Sequence, residues 1–144
     1  MMKTKTTSGY TVIELMLVVA VVSVLAAIGF PSYQESVRKS ARKMGNATLI
    51  EVAGRQEQYF VNNKQYASDL TNLGYPANGF YIDKKGQTYS AAGNGTVYLL
   101  EIAASSATTY TLQAVPQSGQ SSDSCGTLSY TNAGLRSPTT DNCW

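Results

Sequence analysis

Gly9-Tyr10-Thr11-Val12-Ile13-Glu14-Leu15 opens an apolar run that ends at Phe30. As a helix, the roughly 21 residues of this run would reach about 31 Å, close to the thickness of the hydrocarbon core of a bilayer. Glu14 interrupts the run, and an acidic side chain in a membrane helix costs about 2.5–3.5 kcal/mol. A plain anchor has no use for that cost. The stretch therefore predicts a membrane helix that finds a positive partner inside the bilayer.

The residues before the run carry positive charge at Lys3 and Lys5. The positive-inside rule places such a leader in the cytoplasm and the rest of the chain outside. One alternative is an ordinary secretory signal, since Val24-Leu25-Ala26-Ala27 offers small residues for cleavage. The length of the run and the carboxylate of Glu14 argue against that alternative. A simple single-span anchor is the other.

This N-terminal pattern resembles that of the type IV prepilins, which have a short basic leader ending in glycine, then an aromatic or apolar residue, then Thr-Leu-Ile-Glu-Leu. The departures are Tyr10 in place of phenylalanine and Val12 in place of leucine. The resemblance implies that a prepilin peptidase cuts between Gly9 and Tyr10 and methylates the new amine of Tyr10. It also implies that Glu14 pairs with the N-terminal amine of a neighbouring subunit and sets the register between helices.

Gly29 and Pro31 mark a soft point at the end of the apolar run. Proline removes a backbone hydrogen bond from a helix, and glycine weakens the turn that contains it. By the same resemblance, the segment Ser23–Pro31 can extend when subunits pack into a filament. A bend at the membrane edge is compatible with that role.

Residues 31–60 predict an amphipathic continuation of the helix, because apolar residues recur there at helical spacing. A neighbouring basic cluster is expected to form a polar face. Since it lacks interleaved aromatics, lipid head groups or acidic neighbours are expected contacts rather than nucleic acid. The apolar stripe comprises Val37, Ala41, Met44, Ala47, Ile50, Ala53 and Phe60, and the basic cluster comprises Arg38, Lys39, Arg42 and Lys43.

Residues 61–144 predict a globular head. Residues 61–95 are rich in turn signals and are expected to be a loop-rich connector. Three segments rich in β-branched, leucine and tyrosine residues predict strands of an antiparallel sheet: Val97–Ala103, Thr109–Val115 and Leu128–Thr131. One face of the sheet needs a cover, and the helical stripe provides it. The predicted fold class is α+β, with a long N-terminal helix packed on a small antiparallel sheet.

Cys125 and Cys143 lie near the C-terminus, where export would make a disulfide the default. Two unrelated buried thiols are the alternative. No metal site is expected, since the chain has no histidine and two thiolates do not complete a zinc site. Cys125-Gly126-Thr127-Leu128 and the Gly134 turn look like the PilE-type minor pilins. In type IV pilins a C-terminal disulfide pins a loop across the end of the sheet.

The absence of histidine excludes a Ser-His-Asp or Cys-His pair, and the sequence contains no nucleotide-binding motif. An enzyme is therefore not expected, nor is a cofactor or small-molecule substrate. The four segments divide as leader 1–9, assembly helix 10–30, amphipathic helix 31–60 and head 61–144. The resemblance implies a structural, minor subunit of a type IV pilus, which serves adhesion and twitching motility.

The expected partners are other pilin subunits through the N-terminal helix, the prepilin peptidase, the inner-membrane assembly machinery and membrane lipid. The expected location is the inner membrane, with the head in the periplasm, and then the pilus on the cell surface. A pseudopilin of a type II secretion system is one alternative, although such proteins usually lack the C-terminal disulfide. A pilus-borne adhesin or DNA-uptake pilin is another. Removing Lys3 and Lys5 from the 11 Lys and Arg leaves nine against nine Asp and Glu, which makes nucleic acid an unlikely partner.

Overall fold

The computed structural model describes residues 9–140 and 142–144, so Lys3 and Lys5 of the predicted leader lie outside the described residues. The chain divides after Ser36 into two compact units, each described here by itself. One helix, α1, runs from Val12 to Asn63, and the rest of the regular structure belongs to the second unit. This helix ends three residues beyond the predicted limit at Phe60.

The first unit is the early part of α1. The helical backbone continues through Pro31, so the proline lies inside the helix. By length and composition, α1 is the one helix among the described residues that could cross a membrane. The apolar run is therefore helical from Val12 to Phe30, whereas Tyr10 and Thr11 of the predicted helix precede it.

The second unit contains a six-stranded sheet in which every neighbouring pair is antiparallel. The order across the sheet is β2-β1-β3-β4-β5-β6, so only the outermost β2 departs from chain order. Short 3-10 turns lie at Leu70–Leu73 and Ser118–Gln120. The strands are β1 (Phe80–Asp83), β2 (Thr88–Tyr89), β3 (Thr96–Ser105), β4 (Tyr110–Pro116), β5 (Leu128–Thr131) and β6 (Arg136–Ser137).

The later part of α1 packs on one face of this sheet. Gly45 lies close to the sheet, because a Cβ added there would lie 3.1 Å from Cδ2 of Tyr98. Alternate residues of the strands point to the same face, which gives the core its period of two. The core residues with under 2% exposure include Leu49 and Val52 of α1 and Phe80, Ile82, Tyr98, Leu100, Leu112, Ala114 and Leu128 of the sheet.

The buried face of α1 differs from the predicted apolar stripe. Ala47 and Ile50 are exposed, whereas Arg42, Asn46 and Gln56 are buried. Buried polar side chains are tolerated when hydrogen bonds satisfy them. Each of these three bonds to a distant segment, and spacing along the helix cannot reveal such partners. The expectation that Arg42 lies on a solvated basic face was therefore wrong.

The connector 61–95 is more structured than its turn signals predict, because it contains β1 and β2. Phe80 and Ile82 point into the core while Tyr81 faces outward, which is the alternation of a half-buried strand. The strand is only four residues long and lies between turns, so the turn signals dominate the pattern. The turn at residues 83–86 is confirmed, with Gly86 at φ +81°.

Gln56 fastens this connector to the helix. Its Nε2 donates to the carbonyl of Ala67, and its Oε1 accepts from the Ala67 N–H, each at 2.9 Å. Both ends of the amide are thus paired, which allows Gln56 to be fully buried.

Candidate assembly interface

The apolar part of α1 presents an uncovered surface. From Val12 to Phe30 the large apolar side chains expose between 52% and 76% of their area, the least at Val21 and the most at Val12 and Ile13. Soluble monomers rarely expose a continuous apolar surface of this extent, so it marks a contact with membrane or with another protein.

Glu14 lies in the first turn of α1 and forms a reciprocal cap with Thr11. The Thr11 hydroxyl accepts from the Glu14 N–H at 3.3 Å, and Glu14 Oε2 accepts from the Thr11 N–H at 3.4 Å. This is a capping box, which satisfies two backbone donors at a helix start. The T-x-x-E spacing is its sequence signal, and our sequence analysis overlooked it.

The cap leaves the carboxylate at the N-terminal end of the helix, beside the segment that carries the predicted cleavage site. Gly9 and Tyr10 precede the helix, and Tyr10 is 82% exposed. The hydrogen bonds to Glu14 are long, so the carboxylate keeps capacity for a charged partner. The structure thus brings Glu14 together with Thr11, and Tyr10 remains open to solvent.

The polar groups inside the apolar run are also arranged for an apolar setting. The Ser23 hydroxyl donates to the Val19 carbonyl at 2.7 Å, one turn back along the helix. A hydroxyl paired in this way costs little in lipid or in a helix bundle. Apart from the neighbouring backbone of the helix itself, no atom of the described residues lies within 4 Å of a Cβ built at Gly29. Packing within the first unit therefore does not require glycine there.

In the second unit a disulfide joins Cys125 to Cys143, with Cα atoms 5.7 Å apart. The closed loop contains β5 and β6, and Asn46 of α1 holds its far end by donating to the Cys143 carbonyl at 2.8 Å. The predicted disulfide is thus present, and the loop it closes is fastened to the helix.

Arg42 and Asp123 form a buried ion pair beside Cys125, where this loop begins. Their side chains are 4% and 1% exposed. Arg42 donates to both carboxylate oxygens, from Nε at 2.9 Å and from Nη2, and its Nη1 donates to the Asn142 carbonyl at 2.7 Å. A planar guanidinium suits this two-pronged pairing. The helix is thereby bound to both sides of the disulfide.

Three further donors surround the carboxylate of Asp123. Gln120 Nε2 lies 2.7 Å away, the Cys125 N–H 3.2 Å and the Tyr98 hydroxyl 3.3 Å. Burial raises the pKa of Asp123, but the hydrogen bonds from Arg42, Cys125 and Gln120 outweigh it and hold the pKa below its ordinary value. Burial, together with the nearby charge of Asp123, raises the pKa of Tyr98 to about 12.

Sequence reasoning missed this pair, and one signal could have found it. Arg42 precedes Leu49 by seven positions and Ala53 by eleven, which places it on the same face of the helix. A charge on a core-facing stripe predicts a buried counter-charge. The sequence does not indicate which carboxylate supplies this counter-charge.

A family model described as "Type IV minor pilin ComP, DNA uptake sequence receptor" matches residues 31–129 of the chain. The fimbrial protein EcpC of Eikenella corrodens is 36% identical over 96 residues, or 62% of this chain and 59% of that protein. The type IV major pilin protein PilE of Neisseria gonorrhoeae is 33% identical over 69 residues, or 46% of this chain and 40% of that protein. The chain thus spans about half the length of these relatives.

Among solved structures, a high-resolution structure of a type IV pilin from Shewanella oneidensis is similar. Its TM-score is 0.48 at 24% sequence identity, and the match covers 73% of this chain and 97% of that one.

Proposed function

The chain belongs to the family of the type IV minor pilin ComP, and on that basis we propose that it is a structural, minor subunit of a type IV pilus. The observation that carries the proposal is the uncovered apolar surface from Val12 to Phe30 on the same helix that builds the head. Before assembly the surface would lie in the inner membrane with the head in the periplasm. After assembly it would pack against the helices of other subunits.

Processing by a prepilin peptidase is the step we propose before assembly. Cleavage between Gly9 and Tyr10 would create a cationic amine, which the enzyme would methylate. The exposure of both residues ahead of the helix supports access by the enzyme. Glu14 would then pair with the amine of a neighbouring subunit, which offsets the cost of burying either charge alone.

The test is mass spectrometry of peptides from filaments sheared off the cell surface. We expect an N-terminal peptide that starts at methylated Tyr10, at a level well below that of the dominant pilin. A head that starts near Ala27 and is found free in the medium would instead indicate an ordinary signal sequence. Absence from both fractions would favour a pseudopilin.

We also propose that Gly29 and Pro31 allow the helix to extend on assembly. The missing backbone hydrogen bond at proline and the open space around Gly29 support this role. Amide exchange would test it, because residues 23–31 should exchange faster in filaments than in detergent micelles. Equal protection in both states would rule out extension.

DNA uptake is the second candidate function, favoured by the family description. Lys84 and Lys85 lie exposed in the turn between β1 and β2 and offer a local basic patch despite the balanced overall charge. Duplex binding by the full chain in neutral detergent, followed by fluorescence anisotropy at several salt concentrations, would test it. If both lysines contact phosphates, Lys84→Ala/Lys85→Ala loses two contacts. The slope of the logarithm of the binding constant against the logarithm of salt concentration should then fall by about 2. Lys64→Ala is the control, and absence of duplex binding at low salt would exclude the role.

A further inference from the structure

A cavity of about 230 Å³ lies in the second unit between α1 and the C-terminal loop. We call it the helix–loop cavity. Its walls combine lysines, two amides and an indole, which distinguishes it from the apolar surface of the first unit. The cavity is lined by Lys39, Lys43 and Asn46 on the helix side and by Asn142, Cys143 and Trp144 on the loop side.

Asn46 supplies an unused hydrogen-bond acceptor at this cavity. The residue is only 9% exposed, and its Nδ2 donates to the Cys143 carbonyl. Its Oδ1 is buried and has no hydrogen-bond partner among the described residues. Buried acceptors are almost always paired, because an unpaired one loses its hydration without compensation. The cavity is therefore suited to an occupant that carries a donor.

Lys39 and Lys43 supply positive charge at the same cavity. They are four residues apart on α1, so their side chains emerge from the same side of the helix, and both are exposed. The charge of Arg42, which also lines the cavity, is matched by Asp123. Among the described side chains that line the cavity, the two lysines carry the remaining positive charge, which favours an anion.

Trp144 forms a half-buried aromatic wall. Its Nε1 donates to the Ser137 carbonyl at 3.2 Å, and the Arg136 guanidinium lies 5.3 Å from the ring centre. These contacts fix the indole in place. Tryptophan with an apolar ring and a paired N–H is typical of side chains at the level of lipid head groups.

We propose that the helix–loop cavity binds the head group of an anionic phospholipid, with phosphatidylglycerol as the chemical type that fits. Its phosphate would lie against Lys39 and Lys43. A glycerol hydroxyl would donate to Asn46 Oδ1 once a small turn of that side chain exposes the oxygen to the cavity. Lys39 follows Phe30 by only nine positions, which favours lipid over nucleic acid. The small volume also suits one head group better than a duplex. The inference rests on the proposed membrane stage of the subunit.

The chain contains a single tryptophan, so Trp144 reports on its own cavity. The full chain is reconstituted in phosphatidylcholine vesicles with increasing fractions of phosphatidylglycerol, and tryptophan emission is recorded. We expect a change that saturates. Each lysine near an anionic surface contributes about fivefold in affinity. Lys39→Gln/Lys43→Gln should therefore need at least fivefold more phosphatidylglycerol for half of the change.

Lys84→Gln/Lys85→Gln is the matched control, because it removes equal charge from an exposed turn outside the cavity. We expect it to move the half-point less than twofold. An equal shift in both double variants would mean diffuse attraction and would overturn the proposal. No emission change would do the same. A full change caused by inorganic phosphate, or by a duplex oligonucleotide, in pure phosphatidylcholine vesicles would assign the cavity to that ligand instead.

The sheared-filament experiment separates this inference from the proposed function. A chain that enters pili but ignores phosphatidylglycerol would refute the lipid site alone. A chain that responds to the lipid but never enters pili would refute the pilus subunit alone.

Discussion

Large apolar side chains between Val12 and Phe30 expose at least 52% of their area, whereas Leu49 and Val52 on the same helix expose 1%. The polar residues are distributed in the opposite way, since Arg42 and Gln56 are buried in the later half. The head covers its own apolar core, and Arg42 and Gln56 each have a partner within it. The early half is incomplete by itself, and only an external apolar partner can cover it.

The largest expected effect tests whether the head depends on its buried ion pair. Arg42→Met leaves Asp123 buried without its counter-charge, which costs about 3–5 kcal/mol. Denaturant unfolding of the full chain in detergent micelles would measure it. Arg55→Met is the matched control, because the Arg55–Glu51 pair is on the surface and should contribute about 1 kcal/mol or less. The control also removes the Nη1 bond to the Leu73 carbonyl and the contact with the Tyr75 ring, and its total loss should still be smaller than that of Arg42→Met. Equal losses in the two variants would show that burial of the pair is unimportant.

A second prediction concerns the early half of the helix. Glu14→Leu should leave unfolding of the head unchanged but reduce entry into pili. Without the carboxylate, the amine of a neighbouring subunit stays unpaired in an apolar setting, which costs about 2.5–3.5 kcal/mol. That cost corresponds to a decrease on the order of a hundredfold in the occupancy of this chain in pili. The ratio of this chain to the dominant pilin in sheared filaments measures it. Normal entry would contradict the pairing, and Glu51→Leu provides an exposed carboxylate as control.

A third prediction uses alkaline pH to separate the halves, since Glu14 is the only ionisable side chain from Val12 to Phe30. Burial raises the pKa of Tyr98 to about 12, whereas an unfolded tyrosine titrates near about 10. The contribution of Tyr98 is therefore complete below about pH 10 and is lost as the pH rises toward 12, by up to about 2–3 kcal/mol. Unfolding free energies from pH 9 to 12 would show the loss.

Tyr98→Phe should make the unfolding free energy fall less steeply with pH, because the contribution of one tyrosine is removed. The slope that remains is expected from Tyr75 and Tyr110, whose pKa values are raised mainly by burial. An unchanged slope in Tyr98→Phe would mean that its hydroxyl reaches water in the folded head.

The smallest effect compares two glycines of the same helix. A Cβ at Gly54 would meet nothing within 4 Å beyond the neighbouring backbone of its own helix. Gly54→Ala should therefore stabilise the head by about 1 kcal/mol through helix propensity. Gly45→Ala offers the same gain, but its Cβ would lie 3.1 Å from the buried ring of Tyr98. We expect no gain there. Thermal unfolding of both variants in micelles checks the difference, and equal gains would show that the ring can yield.

The apolar helix, the α+β class and strands β3, β4 and β5 could be predicted from the sequence, because each rests on a local pattern. The disulfide could be predicted because an exported chain with two cysteines forms one by default. The resemblance to type IV pilins is confirmed by the family match. Strand β1 was missed since four residues between turns give too short an alternation. The Arg42–Asp123 pair was missed because its partners are 81 residues apart and no periodicity connects them. Glu14 was singled out by its cost in a membrane, and that interpretation left unnoticed the T-x-x-E spacing that also predicts its cap with Thr11.

The bonds from Arg42 and Asn46 to the C-terminal loop have a consequence for the timing of biogenesis. They connect residues 81 to 100 positions apart. At a synthesis rate of about 5–20 residues per second, the loop emerges roughly 5–20 s after the helix residues that it must meet. During that delay the helix exists without its sheet and its C-terminal fastening. A chaperone or the translocation channel would have to shield the nascent helix until the last cysteine arrives.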